Sequence, residues 1–298
     1  MLDPDSPLSS RILGYLSERF PPGPYTVLVV LFFGSAVLVA RDLAAAPAAL
    51  PEPVAWLGAP VVWLVFFHLR VFDEHKDHTQ DAVAHPERLL SRGVVSLGLL
   101  ARLGAAAVLF QIAGSAVVGW TALAAWAATF AFTVAMRAEF GVGAWLNKHL
   151  LIYAVTHNPV VGLLAVYGWA CAGVPFVPAF GWYIAAVSLG SLSFELGRKI
   201  NLPDEETAGV DSYSSVLGRG RAGVMLTVIS VAAAACSAVC VWLVGAGWGL
   251  GVGLVLVLVG LVAVAAMARD GQPAKRVELG SSVALLASML GMGLAALS

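Results

Sequence analysis

The sequence predicts an all-α, polytopic membrane protein of about nine transmembrane helices with a polar cytoplasmic face. Three observations carry this. Of the 298 residues, 59% are hydrophobic and 12% are charged, half the charge share of about 25% usual in soluble domains. The mean hydropathy is +0.86, so water is not the solvent for most of this surface. The apolar residues fall into runs of about 20, the length a helix needs to cross a hydrocarbon core of roughly 30 Å.

In order along the chain, Leu2–Phe20 reads as a short amphipathic segment ended by Pro21-Pro22-Gly23-Pro24. It carries no leader pattern of basic region, apolar core and cleavage site, and residues 1–24 are expected to lie at the membrane interface. The predicted spans are approximately 25–43, 54–72, 96–116, 118–136, 150–172, 176–196, 223–245, 247–267 and 280–297, each near the required 20 residues. The joins Val117-Val118-Gly119 and Gly245-Ala246-Gly247 are short enough to make their flanking helices antiparallel neighbours.

The basic residues alternate with this count. Arg11 and Arg19 precede the first span. Arg70, Lys76, Arg88 and Arg92 lie between the second and third, and Arg137 and Lys148 follow the fourth. Arg198, Lys199, Arg219 and Arg221 follow the sixth, and Arg269, Lys275 and Arg276 follow the eighth. Arg41 alone falls on the other side, and Arg102 lies inside the third span. The positive-inside rule therefore places the N-terminus and the charged loops in the cytoplasm and the C-terminus outside.

Composition also excludes some functions. A net charge of −1 gives no reason to expect nucleic acid as a partner. Cys171, Cys236 and Cys240 all sit in apolar runs, which is neither a disulfide framework nor a zinc site. His68, His75, His78 and His85 match no zinc-ligand spacing.

Chemistry concentrates after the second span, in Arg70-Val-Phe-Asp73-Glu74-His-Lys76-Asp77-His-Thr-Gln-Asp81, followed by His85-Pro86-Glu87-Arg88. Asp73, Asp77 and Asp81 repeat at i, i+4 and i+8, so on a helix they stack along one face about 6 Å apart. Like charges so arranged repel unless a cation sits among them. Mg²⁺ suits such a face: it takes oxygen ligands, keeps several waters, and is held by one or two carboxylates plus substrate phosphates. Pro86 stops the helix, and Arg88 and Arg92 follow where they could neutralise a phosphate. The plainer alternative is the polar end of a helix meeting water.

The second polar stretch follows the sixth span: Glu195, Arg198, Lys199, Asn201, Asp204, Glu205 and Glu206. Glu195 and Lys199 are spaced as an i, i+4 ion pair. Arg137-Ala-Glu139 and Asn147-Lys148-His149 form a third patch, read either as a cap over the site or as interfacial anchors. His157-Asn158-Pro159 lies well inside the fifth span. Polar residues there face a cavity, or Asn158 satisfies the carbonyl that a proline kink frees.

The first carboxylate stretch resembles the first aspartate-rich motif of the UbiA superfamily of intramembrane prenyltransferases, NDxxDxxxD followed by a basic turn. Asp73-Glu74 stands where Asn-Asp is usual, then come Asp77, Asp81 and His85-Pro86-Glu87-Arg88. The resemblance extends over nearly the whole chain. It implies a single UbiA-like transmembrane domain over 25–298, with a central cavity opening to the cytoplasmic cap. The family's second motif, DxxxDxxxG, is altered. Anchored on Gly209 it reads Asn201, Glu205, Gly209; anchored on the span end its acid is Glu195, with Lys199 one turn on. Asp73, Asp77 and Asp81 are thus the expected catalytic metal ligands, with Glu195, Asn201 and Glu205 as weakened ones. Arg88, Arg137, Lys148, Arg198 and Lys199 are the expected diphosphate ligands, the pair 198–199 taking over charge a second Mg²⁺ would neutralise.

The resemblance implies Mg²⁺-dependent ionisation of an allylic prenyl diphosphate of C10–C20 or longer, among membrane lipids, with prenyl transfer to a small aromatic or lipid acceptor. The alternative is cyclisation of the same substrate by a membrane-embedded terpene synthase. A non-enzymatic transporter is least supported, since neither inverted repeats nor midplane charges are evident.

Overall fold

The computed structural model describes residues 2–206, 211–267 and 271–298. It is all-helical, with no strand among the described residues. The amphipathic α1 (Leu8–Arg19) leads through a proline-rich corner into α2 (Pro22–Ala44). The short α3 (Glu52–Trp56) precedes α4 (Gly58–Lys76) and α5 (His78–Ala84). Then come α6 (Leu97–Val118), α7 (Trp120–Arg137), α8 (Gly143–Leu146), α9 (Leu150–His157), α10 (Pro159–Ala172) and α11 (Gly181–Gly197). The chain finishes with α12 (Tyr213–Leu217), α13 (Arg219–Val244), α14 (Gly247–Met267) and α15 (Ala274–Ala295).

Eight helical segments among the described residues are long and apolar enough to cross a membrane. They match eight of the expected spans within a few residues. The remaining expected span is α7, 18 residues long. Three threonines and Arg137 make it less apolar, yet it packs in the bundle between α6 and α10. The α6–α7 reversal turns on Gly119, whose φ of +139° is a conformation that only glycine enters freely.

The bundle closes on small residues. A Cβ added at Gly253 would stand 3.0 Å from the Gly291 carbonyl, and one at Gly260 2.8 Å from Ala284 Cα. Without side chains there, the α14 and α15 backbones touch, the way helices associate where lipid gives no hydrophobic drive. One group of buried polar side chains is paired across helices. Trp126 Nε1 donates to Gln111 Oε1 at 3.0 Å, and Gln111 Nε2 lies 3.1 Å from His68 Nδ1. His68 Nε2 lies 3.1 Å from Thr133 Oγ1. This chain ties α4, α6 and α7 together in a medium with no water to replace a lost partner.

Two departures from the sequence reading matter for function. The acidic helix is not continuous: α4 ends at Lys76, and Asp77 (φ −98°, ψ 4°) joins it to α5. The fifth span is split at Pro159, as the missing N–H requires. Asn158 does not cap the freed carbonyl; its Nδ2 donates 3.0 Å to Ser188 O on α11, pinning the kink to its neighbour.

Candidate active site

The bend at Asp77 keeps the acids together. The Asp77 N–H bonds Asp73 O and the Asp81 N–H bonds Asp77 O, both at 2.8 Å, so the i to i+4 ladder runs through the bend. Asp73, Asp77 and Asp81 all line one cavity of about 450 Å³. Its other walls come from α9 (Tyr153, His157), the joint at Asn158, α10 (Val160, Val161) and α11 (Ser191, Glu195), with Arg198 and Lys199 just beyond. A wider vestibule of about 980 Å³ shares Lys76, Asp77, Asp81, Tyr153 and Lys199 with it and adds Arg137, Glu139 and Asn147. Clusters more than 110 positions apart in sequence thus face one space.

The partners of the acids differ. Asp81 is held by Arg88 at 2.7 Å and by Arg19 at 3.4 Å, and Asp73 lies 3.9 Å from Arg70. Asp77 has no ion pair and no side-chain hydrogen bond among the described residues. Burial, with Asp81, Glu139 and Glu74 nearby, raises its carboxyl above the usual range, and Lys76 offsets this in part. Across the cavity Glu195 accepts from Arg198 at 2.5 Å and from Lys199 at 2.9 Å. Lys76 Nζ donates to the Tyr153 hydroxyl at 2.7 Å and pairs with Glu139 at 3.2 Å. In all, four acids face five cations: Asp73, Asp77, Asp81 and Glu195 against Arg19, Arg70, Lys76, Arg198 and Lys199. The lining therefore favours an anion accompanied by a cation of its own.

Not every expected residue arrives. Arg88 reaches the site only through Asp81, and Arg137 lines the vestibule with its guanidinium 4.9 Å from the centre of the Phe72 ring. Lys148 is exposed and lines neither cavity. Asn201 and Glu205 line neither cavity. Asn201 Nδ2 donates to Glu206, and Glu205 accepts the backbone N–H groups of Leu202 and Ala274 at 2.9 Å, stapling its loop to the start of α15. Their loop folds back on its own hydrogen bonds. Gly209, the anchor of that register, lies outside the described residues. Glu195 does arrive, but already neutralised by its own helix end.

Three cations in the site escaped the sequence reading. Arg70 and Lys76 stand three residues either side of Asp73, so helical spacing could have found them. Arg19 arrives only because α1 docks on α4: Tyr15 and Phe20 are fully buried against Phe67, Val71 and Leu100. Arg19 Nε donates 2.7 Å to Glu74, itself 3% exposed. No local pattern announces that contact.

These features define an α-helical polytopic protein with a charged cavity at one end of its bundle. No protein-family model and no curated protein matches the sequence. Solved structures do. A UbiA homologue from Aeropyrum pernix K1 superposes with a TM-score of 0.71 at 23% identity, over 91% of this chain and 96% of that one. A digeranylgeranylglyceryl phosphate synthase superposes at 0.64 with 15% identity, over 95% and 99%. A UbiA homologue from Archaeoglobus fulgidus bound to GPP and Mg²⁺ superposes at 0.56 with 13% identity, over 94% and 99%. The chain has the fold of the UbiA homologues.

Proposed function

We propose that this chain is a member of the UbiA superfamily that ionises an allylic prenyl diphosphate inside the membrane and transfers the prenyl group to an acceptor. The observation that carries the reading is the single cavity in which Asp73, Asp77 and Asp81 face Arg198 and Lys199. The neighbour holding GPP and Mg²⁺ supports the same class of ligand.

The donors fit Mg²⁺. Among the described residues no three Asp, Glu, His or Cys side chains form a closed metal cage, and Mg²⁺ needs none, being held by one or two carboxylates, waters and substrate phosphates. Asp77, unpartnered and raised in pKa by burial and like charges, is the carboxylate a cation would relieve most. Asp73 and Asp81 would complete the set. Bound there, Mg²⁺ would stabilise negative charge growing on the diphosphate as the C–O bond breaks.

The side chains do the rest. Arg198 and Lys199 meet the far side of the diphosphate with fixed positive charge, and Glu195 keeps both aimed. Tyr153, held by Lys76, and the neighbouring apolar walls exclude water from the allylic cation. The charged loops are proposed to face the cytoplasm.

The test is incubation of the purified protein in detergent with Mg²⁺ and geranyl, farnesyl or geranylgeranyl diphosphate, without acceptor. The reading predicts slow Mg²⁺-dependent release of diphosphate that disappears in Asp77→Ala. A cyclic terpene as the main product would replace transfer by cyclisation. No interaction with any of the three diphosphates would overturn the enzymatic reading.

A further inference from the structure

We propose that Glu139 is a built-in competitor of the diphosphate for Lys76. The connection from α7 to α9, residues 138–149, is the strap that this contact fastens, and it loosens when the anion takes the lysine. The inference rests on the diphosphate reading above. Lys76 ends α4 and lines the 450 Å³ cavity, the vestibule, and a small recess beside Phe72 and Thr133. Its ammonium has donors only. One goes to the Tyr153 hydroxyl at 2.7 Å and another to the Glu139 carboxylate at 3.2 Å. The two charged side chains are 25% and 17% exposed, so solvent screens the pair only in part. Ala138, Glu139, Gly141 and Asn147 of the strap wall the vestibule.

The strap is held against the preference of its own backbone. Glu139, Phe140 and Gly141 have φ of +48°, +52° and +74°. Residues with a Cβ seldom enter the left-handed region, and they stay there only where surrounding contacts over-determine them. Here those contacts are made by side chains. Glu139 pairs with Lys76, and Asn147 Nδ2 donates to the same carboxylate at 3.4 Å. The Phe140 ring lies 5.5 Å from that of Phe132 and 5.4 Å from that of His157. Gly143 leaves room for the carboxylate, since a Cβ there would collide with Glu139 Oε2.

Lys76 is also the lysine that a diphosphate in the cavity meets beside Asp73 and Asp77. A carboxylate offers it a single negative charge. A diphosphate offers more charge and more acceptor oxygens, and charge-assisted contacts strengthen accordingly. The same anion repels Glu139, which stands against that ammonium.

Displacing Glu139 removes the ion pair that fastens the strap, and the left-handed residues are then free to relax. Part of the binding free energy goes into that displacement. Anion and strap are therefore coupled: each weakens the hold of the other on Lys76, and the coupling is reciprocal. Tyr153 keeps its own hydrogen bond to the lysine throughout, because the ammonium has a donor to spare.

The experiment is amide hydrogen exchange over residues 138–149 in the full-length protein in detergent, with Mg²⁺ alone and with Mg²⁺ plus inorganic pyrophosphate. Amides of the strap are bonded within it, Val142 N–H to Glu139 O at 3.0 Å and Asn147 N–H to Gly143 O at 2.9 Å, so exchange reports its opening. Pyrophosphate is expected to speed exchange there roughly tenfold, within the usual range of couplings, and Mg²⁺ alone to leave it unchanged. In Glu139→Gln exchange is fast without the anion, and calorimetric titration finds pyrophosphate bound at least about fivefold more tightly than by the wild type. Gly143→Ala keeps the charge but pushes the carboxylate aside, and it behaves the same way. Slower or unchanged exchange in the wild type on adding pyrophosphate overturns the strap, as does loosening by Mg²⁺ alone. Tighter binding in Glu139→Gln but not in Gly143→Ala reduces the effect to a lost charge and overturns the competition. Failure of the wild type to bind pyrophosphate at all overturns the diphosphate reading instead, and this inference with it. A thermal melt of each variant separates misfolding from release of the strap.

Discussion

At the scale of single residues, the site rests on one carboxylate that the fold leaves unsatisfied. Asp77 is raised above its ordinary pKa, first by burial and then by Asp81, Glu139 and Glu74. The folded state therefore binds its proton more tightly than the unfolded state. By linkage, the stabilisation is fully present below the unfolded-state pKa and is lost as pH rises through the raised folded-state one. Asp77→Asn removes the penalty, so the variant is predicted to melt at a higher temperature than the wild type at pH 7.5 and at a similar one near pH 4. Melts in detergent at the two pH values check this; a lower melting point at pH 7.5 would contradict it. The opposite wall makes a separate prediction. Replacing Arg198 and Lys199 together by Ala should weaken inorganic pyrophosphate binding at least tenfold, the scale of a lost charge-assisted contact. Calorimetric titration reads it, and unchanged binding would remove both residues from the site.

At the scale of elements, the least expected is α1. The sequence marks it as an amphipathic segment, yet its last turn inserts Arg19 between the buried Glu74 and Asp81. Removing one partner of a buried pair leaves a charge without compensation, at a cost of about 3–5 kcal/mol. Arg19→Met alone should therefore lower the melting temperature sharply, and Glu74→Gln added to it should recover most of the loss. A double variant no more stable than the single one would show that α1 docks by its apolar face alone. The broken helix α4–α5 and the split helix α9–α10 serve the site similarly. One turns three acids into the cavity, and the other stops at His157.

At the scale of the whole molecule, alternation of the helices gathers the ends of α4, α7, α9 and α11 around the two cavities. The positive-inside rule then predicts a cytoplasmic site. Single cysteines at Asn147 and at Ala48, in a background without the native three, should be modified by a membrane-impermeant maleimide from opposite faces of the membrane; labelling of both from the same face would refute the topology. Most of this architecture is legible in the sequence, because span length and charge alternation are properties of the chain's own composition. The first acidic cluster is legible too, since Asp73, Asp77 and Asp81 lie within three turns of one another. The remainder depends on packing. Arg19 is 55 positions from Glu74 and 62 from Asp81, and meets them only through the burial of Tyr15 and Phe20. Glu205 looks like a ligand by spacing, but two backbone N–H groups claim its carboxylate.

The central claim is that the acidic face binds a diphosphate together with Mg²⁺. Its most direct measurement is calorimetric titration of the purified protein with geranylgeranyl diphosphate, with Mg²⁺ and with the metal chelated, in the wild type and in Asp77→Asn. The account predicts that the wild type binds at least tenfold more tightly with Mg²⁺, a coupling of about 1.4 kcal/mol, and that Asp77→Asn loses that dependence. Equal affinity of the wild type with and without Mg²⁺ would contradict it.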